Sequence, residues 1–219
     1  MYSNTTVVYA VVSGAGIANT SWPTYLGLMV SQHPKQITEP EALRALAHPV
    51  RLKLLELLTV DGPTTGRRLA DLTGESTASV SYHVGQLVKW GLVEPARDLA
   101  RGRERPWRAT SRGITWTATG DGSPEFAAAS RALREQFIAR RLAALDDFQH
   151  HEGEFDITWR EAAWVGEDMG YLDPAELTEA TERIKAVIAE YTHAARPRKE
   201  GARRVAFFAY AVPTHDGPS

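Results

Sequence analysis

The stretch SVSYHVGQLVKWGLVEP, Ser79 to Pro95, decides how the chain folds. Val80, Val84, Leu87 and Val88 recur at three- and four-residue spacing, which is one buried face of a helix. Gly91 stops that helix, and the period then changes from helical to alternating. The centre of the outer side holds Ala78, Tyr82, Gln86 and Lys89, flanked by Ser79 and Gly85, and none of them is acidic. A helix built only to face water mixes Glu and Lys for propensity and solubility. Here small residues allow close approach to a surface. Hydroxyls and an amide both donate and accept hydrogen bonds, as base edges and phosphates demand.

Working towards the N-terminus, Ser76 is placed to cap this helix and leave free N–H groups for a phosphate. A short helix precedes it from about Thr65, with Leu69, Ala70 and Leu72 inward and Gly74 at its end. A helix, a Gly-containing turn and a second helix make a helix-turn-helix unit. Further upstream runs TEPEALRALAHPVRLKLLELL. Thr38 is the expected N-cap, with Pro40 in the first turn and Glu41 at the capping-box position. Leu43, Leu46 and Ala47 form a stripe. Pro49 breaks the helix, and Val50 to Leu58 build a second one, apolar on most sides and therefore central.

Working towards the C-terminus, Leu92 to Arg97 reads as a strand, RDLARGRER as a turn crowded with arginine, and Pro106 to Thr110 as the returning strand. The result is a hairpin, the wing of a winged helix. Arg97, Arg101, Arg103, Arg105, Arg108 and Arg112 face only Asp98 and Glu104 in that stretch. An isolated charge run is usually a solvated loop. Directly after a helix-turn-helix, arginines instead neutralise phosphates and suit a narrow minor groove.

TSRGITWTATGDGS reads as a linker. Ser123 and Pro124 launch a long helix whose apolar side holds Phe126, Leu133, Phe137, Ile138, Leu142, Leu145 and Phe148. It decays in HHEGE. Phe155, Ile157, Trp159 and Trp164 suggest a strand. Asp173 as N-cap, Pro174 at N1 and Glu176 closing the box start another helix, with Leu172 placed to staple to Leu177. Val205 to Val212 reads as a final strand. The fold class expected is mainly α with small β: a winged helix-turn-helix followed by a long helix and a small strand-helix-strand layer. The domains are a disordered extension at 1–36, a DNA-binding domain at 37–115, and a dimerisation and effector region at 122–213.

The 219 residues can bury a real core, and 43% hydrophobic with 24% charged residues suits a globular protein. No cysteine is present, so disulfides and thiolate sites are excluded and a reducing cytoplasm is the simplest home. The formal net charge of −2 makes charge a local matter. The apolar run Val7 to Val12 is too short to span a bilayer. Gly14 and Gly16 do not start a dinucleotide fingerprint, since Asn19 stands where the third Gly belongs and Pro23 cuts the helix. His150 and His151 are adjacent and do not share a helix face, so with Glu152 and Glu154 they read as a polar helix end rather than a metal site.

LRALAHPVRLKLLELL, GRRLADLTGESTASVSYHVGQLVKWGLVEP and RGRERPWRAT together resemble the winged helix-turn-helix of ArsR-like bacterial transcriptional regulators, in the metal-independent branch. The resemblance covers about Glu39 to Thr110. It implies a homodimer reading two half-sites of double-stranded DNA, often as a repressor, without a cofactor. The helix from Ser76 to Trp90 would enter the major groove. The DNA-binding set is then Ser76, Thr77, Ser79, Ser81, Tyr82, His83, Gln86 and Lys89, with Arg101, Arg103 and Arg105 on the wing. His83 lies at the border of the buried face, so a packed imidazole and a DNA contact both stand. The relatives that sense metals carry a Cys motif in the helix that reads RRLADLTG here.

Two further alternatives stay open. The stripe of the long helix either pairs with a second copy or packs in its own chain. Trp159, Trp164, Phe207 and Tyr210 either form core or line a pocket for a hydrophobic effector. A protein-interaction module that reuses a winged helix is the competing function, and its weakness is the arginine-rich wing. No local motif of nucleophile and base points to an enzyme.

Overall fold

The structure is a computed structural model, and it describes residues 6–7, 34–102, 104–117, 122–192 and 199–215. The helix-turn-helix is built from three helices. α2 (Pro49–Val60) is the central one, with Leu52, Leu54, Leu55, Leu57 and Leu58 buried. His48, rather than a hydroxyl residue, caps it through a side-chain nitrogen that accepts from the Val50 N–H. α1 (Pro40–Leu46) precedes it and starts one residue later than a Thr38 cap would place it. Glu39 is the N-cap, and the Thr38 hydroxyl donates to the Glu39 carboxylate instead.

α3 (Gly66–Thr73) is capped by Thr65 and ends at Gly74, whose φ of 74° lies in the left-handed region that an L-residue enters at a cost. That glycine turns the chain into α4 (Thr77–Lys89), capped by Ser76. Val80, Val84 and Leu87 of α4 are buried as expected, whereas Val88 and Leu72 are exposed.

The wing comes directly after α4. β4 (Val93–Pro95) and β5 (Pro106–Ala109) pair antiparallel, with Glu94 opposite Arg108 and Pro95 opposite Trp107. β3 (Thr64–Thr65), just ahead of α3, pairs with the other edge of β5. A 3₁₀ turn at Arg97–Leu99 leads into the tip.

The segment read as a linker contains a strand. β6 (Ile114–Thr117) pairs parallel with β2 (Lys35–Gln36) and antiparallel with β1 (Thr6–Val7). Trp116 of β6 is fully buried, and its indole donates to the buried Ser130 hydroxyl on α5 (Pro124–His151) at 2.8 Å. The boundary drawn after residue 36 therefore leaves β2 on the extension side although it pairs with β6, and most of the extension at 1–36 lies outside the described residues.

α5 divides along its length. Phe126, Ala129, Ser130, Leu133 and Phe137 are sealed into the same core as α1 and α2, while Ile138 and Leu142 further along are exposed. Of the two alternatives for this stripe, packing within the chain holds for its first half.

Beyond α5 the expected strand-helix-strand layer does not form. Asp156 caps a helix, α6 (Ile157–Ala162), by accepting from the Trp159 N–H, and this replaces the first strand. A local cap satisfies backbone donors without any partner strand, and no neighbouring strand among the described residues competes for them. α7 (Pro174–Thr192) starts as the sequence indicates: Asp173 accepts from Ala175 and Glu176, and Glu176 accepts from the Asp173 N–H. Val205 to Val212 forms no strand, because among the described residues no chain runs beside it to supply a ladder. The fold class, mainly α with a small β component around a winged helix, stands; its C-terminal layer is helical and open.

Candidate nucleic-acid interface

The outer side of α4 is assembled by its cap. The Ser76 hydroxyl accepts from the Ser79 N–H at 3.1 Å and orders the first turn. Ser76, Thr77, Ser81, Tyr82 and Lys89 are exposed, Tyr82 by 62%, and Ser79 and Gln86 are half-buried. Ser79 is already engaged, since its hydroxyl donates to the Glu75 carboxylate at 2.7 Å. Lys89 lies over the Trp90 ring, 5.3 Å from its centroid. No acidic side chain belongs to α4.

His83 turns inward. It is 9% exposed, its ring centroid lies 4.5 Å from that of His48, and Tyr82 meets it edge-on at 5.1 Å. Burial pushes its pKa below the usual value, with the Arg51 guanidinium adding to the effect and Glu75 opposing it. His48 is lowered by the same burial, then by Arg51 and His83. Of the two sequence readings for His83, the structure places the ring with the packed groups.

Two acids of the wing, Glu94 and Asp98, are taken by Arg108. Arg108 donates through Nε to Glu94 at 2.8 Å and through Nη1 to Asp98 at 2.7 Å, with its side chain 11% exposed. The hydrogen bond to Glu94 is the main reason its charge is held even more firmly than usual. Arg97, Arg101 and Arg105 are exposed, and among the described residues none has an acidic partner. Arg105 is steadied by donating to the Gly102 and Glu104 carbonyls, each at 3.0 Å. Arg103 lies outside the described residues. Beneath the tip an open cleft of about 490 Å³ is lined by Pro95, Ala96, Arg97, Ala100, Arg105, Pro106 and Trp107.

The link between α4 and the wing is fixed by the Gly91 carbonyl. It accepts from the Thr110 hydroxyl at 2.7 Å and from the Lys35 ammonium at 3.0 Å. Recognition helix, wing and β2 therefore meet at one turn. Sequence reasoning passed over Arg67 and Arg68, which are exposed in the first turn of α3 with no ion pair among the described residues. The signal was present: two arginines in the opening turn of a helix, where the dipole disfavours cations.

The aromatic residues expected to line an effector pocket are not brought to the wing cleft. Trp164 is 83% exposed, Phe207 and Tyr210 are about half exposed, and Trp159 is half-buried. They do not form core within the chain either. The imidazole Nδ1 atoms of His150 and His151 lie 2.8 Å from the Asp146 and Asp147 carbonyls, one turn back on their own helix.

A hydroxyl-rich, acid-free recognition helix beside a basic hairpin defines a winged helix-turn-helix DNA-binding protein. Residues 46–96 match the family described as helix-turn-helix domain. The chain is 23% identical over 120 residues to the uncharacterized HTH-type transcriptional regulator Rv0081 of Mycobacterium tuberculosis, covering 55% of this chain and 95% of that protein. It is 34% identical over 59 residues to the HTH-type transcriptional regulator YgaV of Escherichia coli, covering 27% of this chain and 60% of that one. A solved structure of a possible transcriptional regulator for arsenical resistance is 31% identical, spans 47% of this chain and 93% of its own, and superposes with a TM-score of 0.29. The chain is a DNA-binding transcriptional regulator with a helix-turn-helix domain at residues 46–96.

Proposed function

We propose that the protein is a homodimeric, sequence-specific repressor that lays α4 in the major groove and its wing along the backbone or minor groove. One observation carries this reading. Arg108 pairs with Glu94 and Asp98, and among the described residues Arg97, Arg101 and Arg105 pair with no acid, which leaves the tip net basic against the exposed Glu104 and beside an acid-free helix face. Free arginines attract phosphates, and bidirectional hydrogen-bonding groups on α4 read base edges.

The contact set is Ser76, Thr77, Ser81, Tyr82, Gln86 and Lys89 on α4, with Arg101, Arg103 and Arg105 on the wing. The exposed apolar second half of α5, at Ile138 and Leu142, supports pairing with a second copy. Trp159, Trp164, Phe207 and Tyr210 belong to a region open to a hydrophobic effector. The chemistry proposed is binding, not catalysis, in the cytoplasm. No described helix is long and apolar enough to cross a membrane.

The test is a gel shift on DNA from the gene's own promoter region, across a salt series, with competitor DNA. A regulator shows steep salt dependence and retains the specific complex under competitor. Binding that is abolished equally by any duplex favours an interaction module instead. Titrating candidate effectors while following tryptophan emission and DNA affinity tests the C-terminal region.

A further inference from the structure

The two histidines between α2 and α4 are arranged so that neither has a place for a second proton. The His48 Nδ1 accepts from the Val50 N–H at 3.2 Å, so it is the bare nitrogen of a neutral ring and caps α2. Protonating it turns an acceptor into a donor aimed at another donor. The His83 Nδ1 is buried with no hydrogen-bond partner among the described residues. As a neutral ring it leaves only a weakly demanding acceptor unpaired. As an imidazolium it buries a charged N–H without an acceptor.

The surroundings point the same way. The rings lie 4.5 Å apart, so charging one raises the cost of charging the other. Arg51 on α2 adds a fixed positive charge, and its own Nε is buried without a partner among the described residues. Glu75, in the turn before α4, is the opposing acid, but its carboxylate is held by the Ser79 hydroxyl. Tyr82, the most exposed aromatic group of α4, rests edge-on against His83.

We propose that His48 and His83 form a joint between α2 and α4 that holds only while both rings are neutral, and that His83 is a positioning residue which aims Tyr82 at the DNA. This rests on the regulator reading above. It goes beyond that reading by taking His83 out of the contact set and making sequence preference sensitive to acid. Burial, with the Arg51 charge, pushes both rings below the ordinary histidine range, so the folded protein resists protons that the loosened joint accepts. The joint is intact above about pH 6.5 and weakens as pH falls below it.

The experiment uses the full chain and two duplexes: one enriched from a random pool on the wild-type protein at about pH 8, and a scrambled control. Affinity for each is measured at constant ionic strength down to about pH 5.5. The expected result is that preference for the enriched duplex falls at least about fivefold over that range. His48→Asn keeps an N-cap acceptor without a titrating ring, so it flattens the profile while binding at the alkaline end stays within about twofold. His83→Gln loses preference but keeps affinity for the scrambled duplex within about twofold. Tyr82→Phe keeps the profile, because its ring edge still meets His83.

Specific affinity that rises in acid would mean an imidazolium reaching DNA and would overturn the proposal, as would His48→Asn and His83→Gln profiles that overlay the wild type. Should the variants not fold, the imidazole carbon resonances of the wild type are titrated by NMR. Values below 6.5 for both rings support the joint, and a His83 value at or above it sinks the joint. A wild-type protein that never separates the two duplexes, at any pH, overturns the regulator reading itself and is recognised by that pH independence.

Discussion

Trp116 donates its indole N–H to the Ser130 hydroxyl, and both side chains are wholly shielded from solvent. The pair ties β6 to α5 at the back of the winged helix, and the Trp116 ring stacks on Phe137 with centroids 6.2 Å apart. Ser130→Ala removes this buried acceptor from the indole and costs about 1–3 kcal/mol of unfolding free energy. Trp116→Ala also empties a large core volume and costs about 3–5 kcal/mol. Urea unfolding measures both; a smaller loss for Trp116→Ala than for Ser130→Ala contradicts that burial.

Arg108 is held by two acids of the wing, whereas Arg101 and Arg105 are proposed DNA contacts. Replacing Arg101 or Arg105 with Ala lowers the slope of log affinity against log salt by about 1 each, equally for all sequences. Arg108→Gln acts differently. Each ion pair it loses is worth under about 1 kcal/mol, because Glu94 and Asp98 are well exposed and screened by solvent. It nevertheless releases two carboxylates into the wing, so affinity drops for every duplex. Adding Glu94→Gln and Asp98→Asn to Arg108→Gln recovers most of that affinity, as read by the same salt series.

The turn between α3 and α4 depends on one backbone angle and one hydroxyl. Gly74→Ala meets no neighbouring atom within 4 Å, so its cost is the left-handed φ of 74° alone, about 1–2 kcal/mol. Ser76→Ala removes the α4 cap at about 1 kcal/mol. Thermal melts of the two single variants and the double report both losses, and the sites are close enough for their effects to couple.

Glu56 on α2 is the shared counter-ion of Arg140 on α5 and Arg204 near the C-terminus, and Arg204 also lies 3.6 Å from Asp61. Burial, then the charges of Arg141 and Arg204, works against the Arg140 guanidinium, so Glu56 offsets an otherwise costly charge. Glu56→Gln destabilises the fold by about 1–3 kcal/mol and loosens the C-terminal segment. Limited trypsin digestion checks this, with faster cleavage after Arg203 and Arg204 than in the wild type.

The helices and their ends were legible in the amino-acid order because a helix carries its instructions within a few residues. Thr65, Gly74, Ser76, Ser123–Pro124 and Asp173–Pro174 each cap or stop a helix where their local chemistry says they should. The wing was legible for a similar reason, since its two strands are consecutive in the chain and joined by a single connection between Pro95 and Pro106. What only the tertiary structure decided depended on distant partners. Ile114–Thr117 became a strand because residues 6–7 and 35–36 lie beside it, whereas Val205 to Val212, apolar and aromatic as it is, has no pairing strand among the described residues. Arg108 looks like its fellow arginines in sequence and differs only because Glu94 sits across the ladder. His83 sits at the edge of a helical stripe, and it took His48, thirty-five positions earlier, to draw the ring inside. Local hydrogen bonds are encoded locally; strand pairing and the choice of face for a border residue are settled by whatever the fold brings alongside.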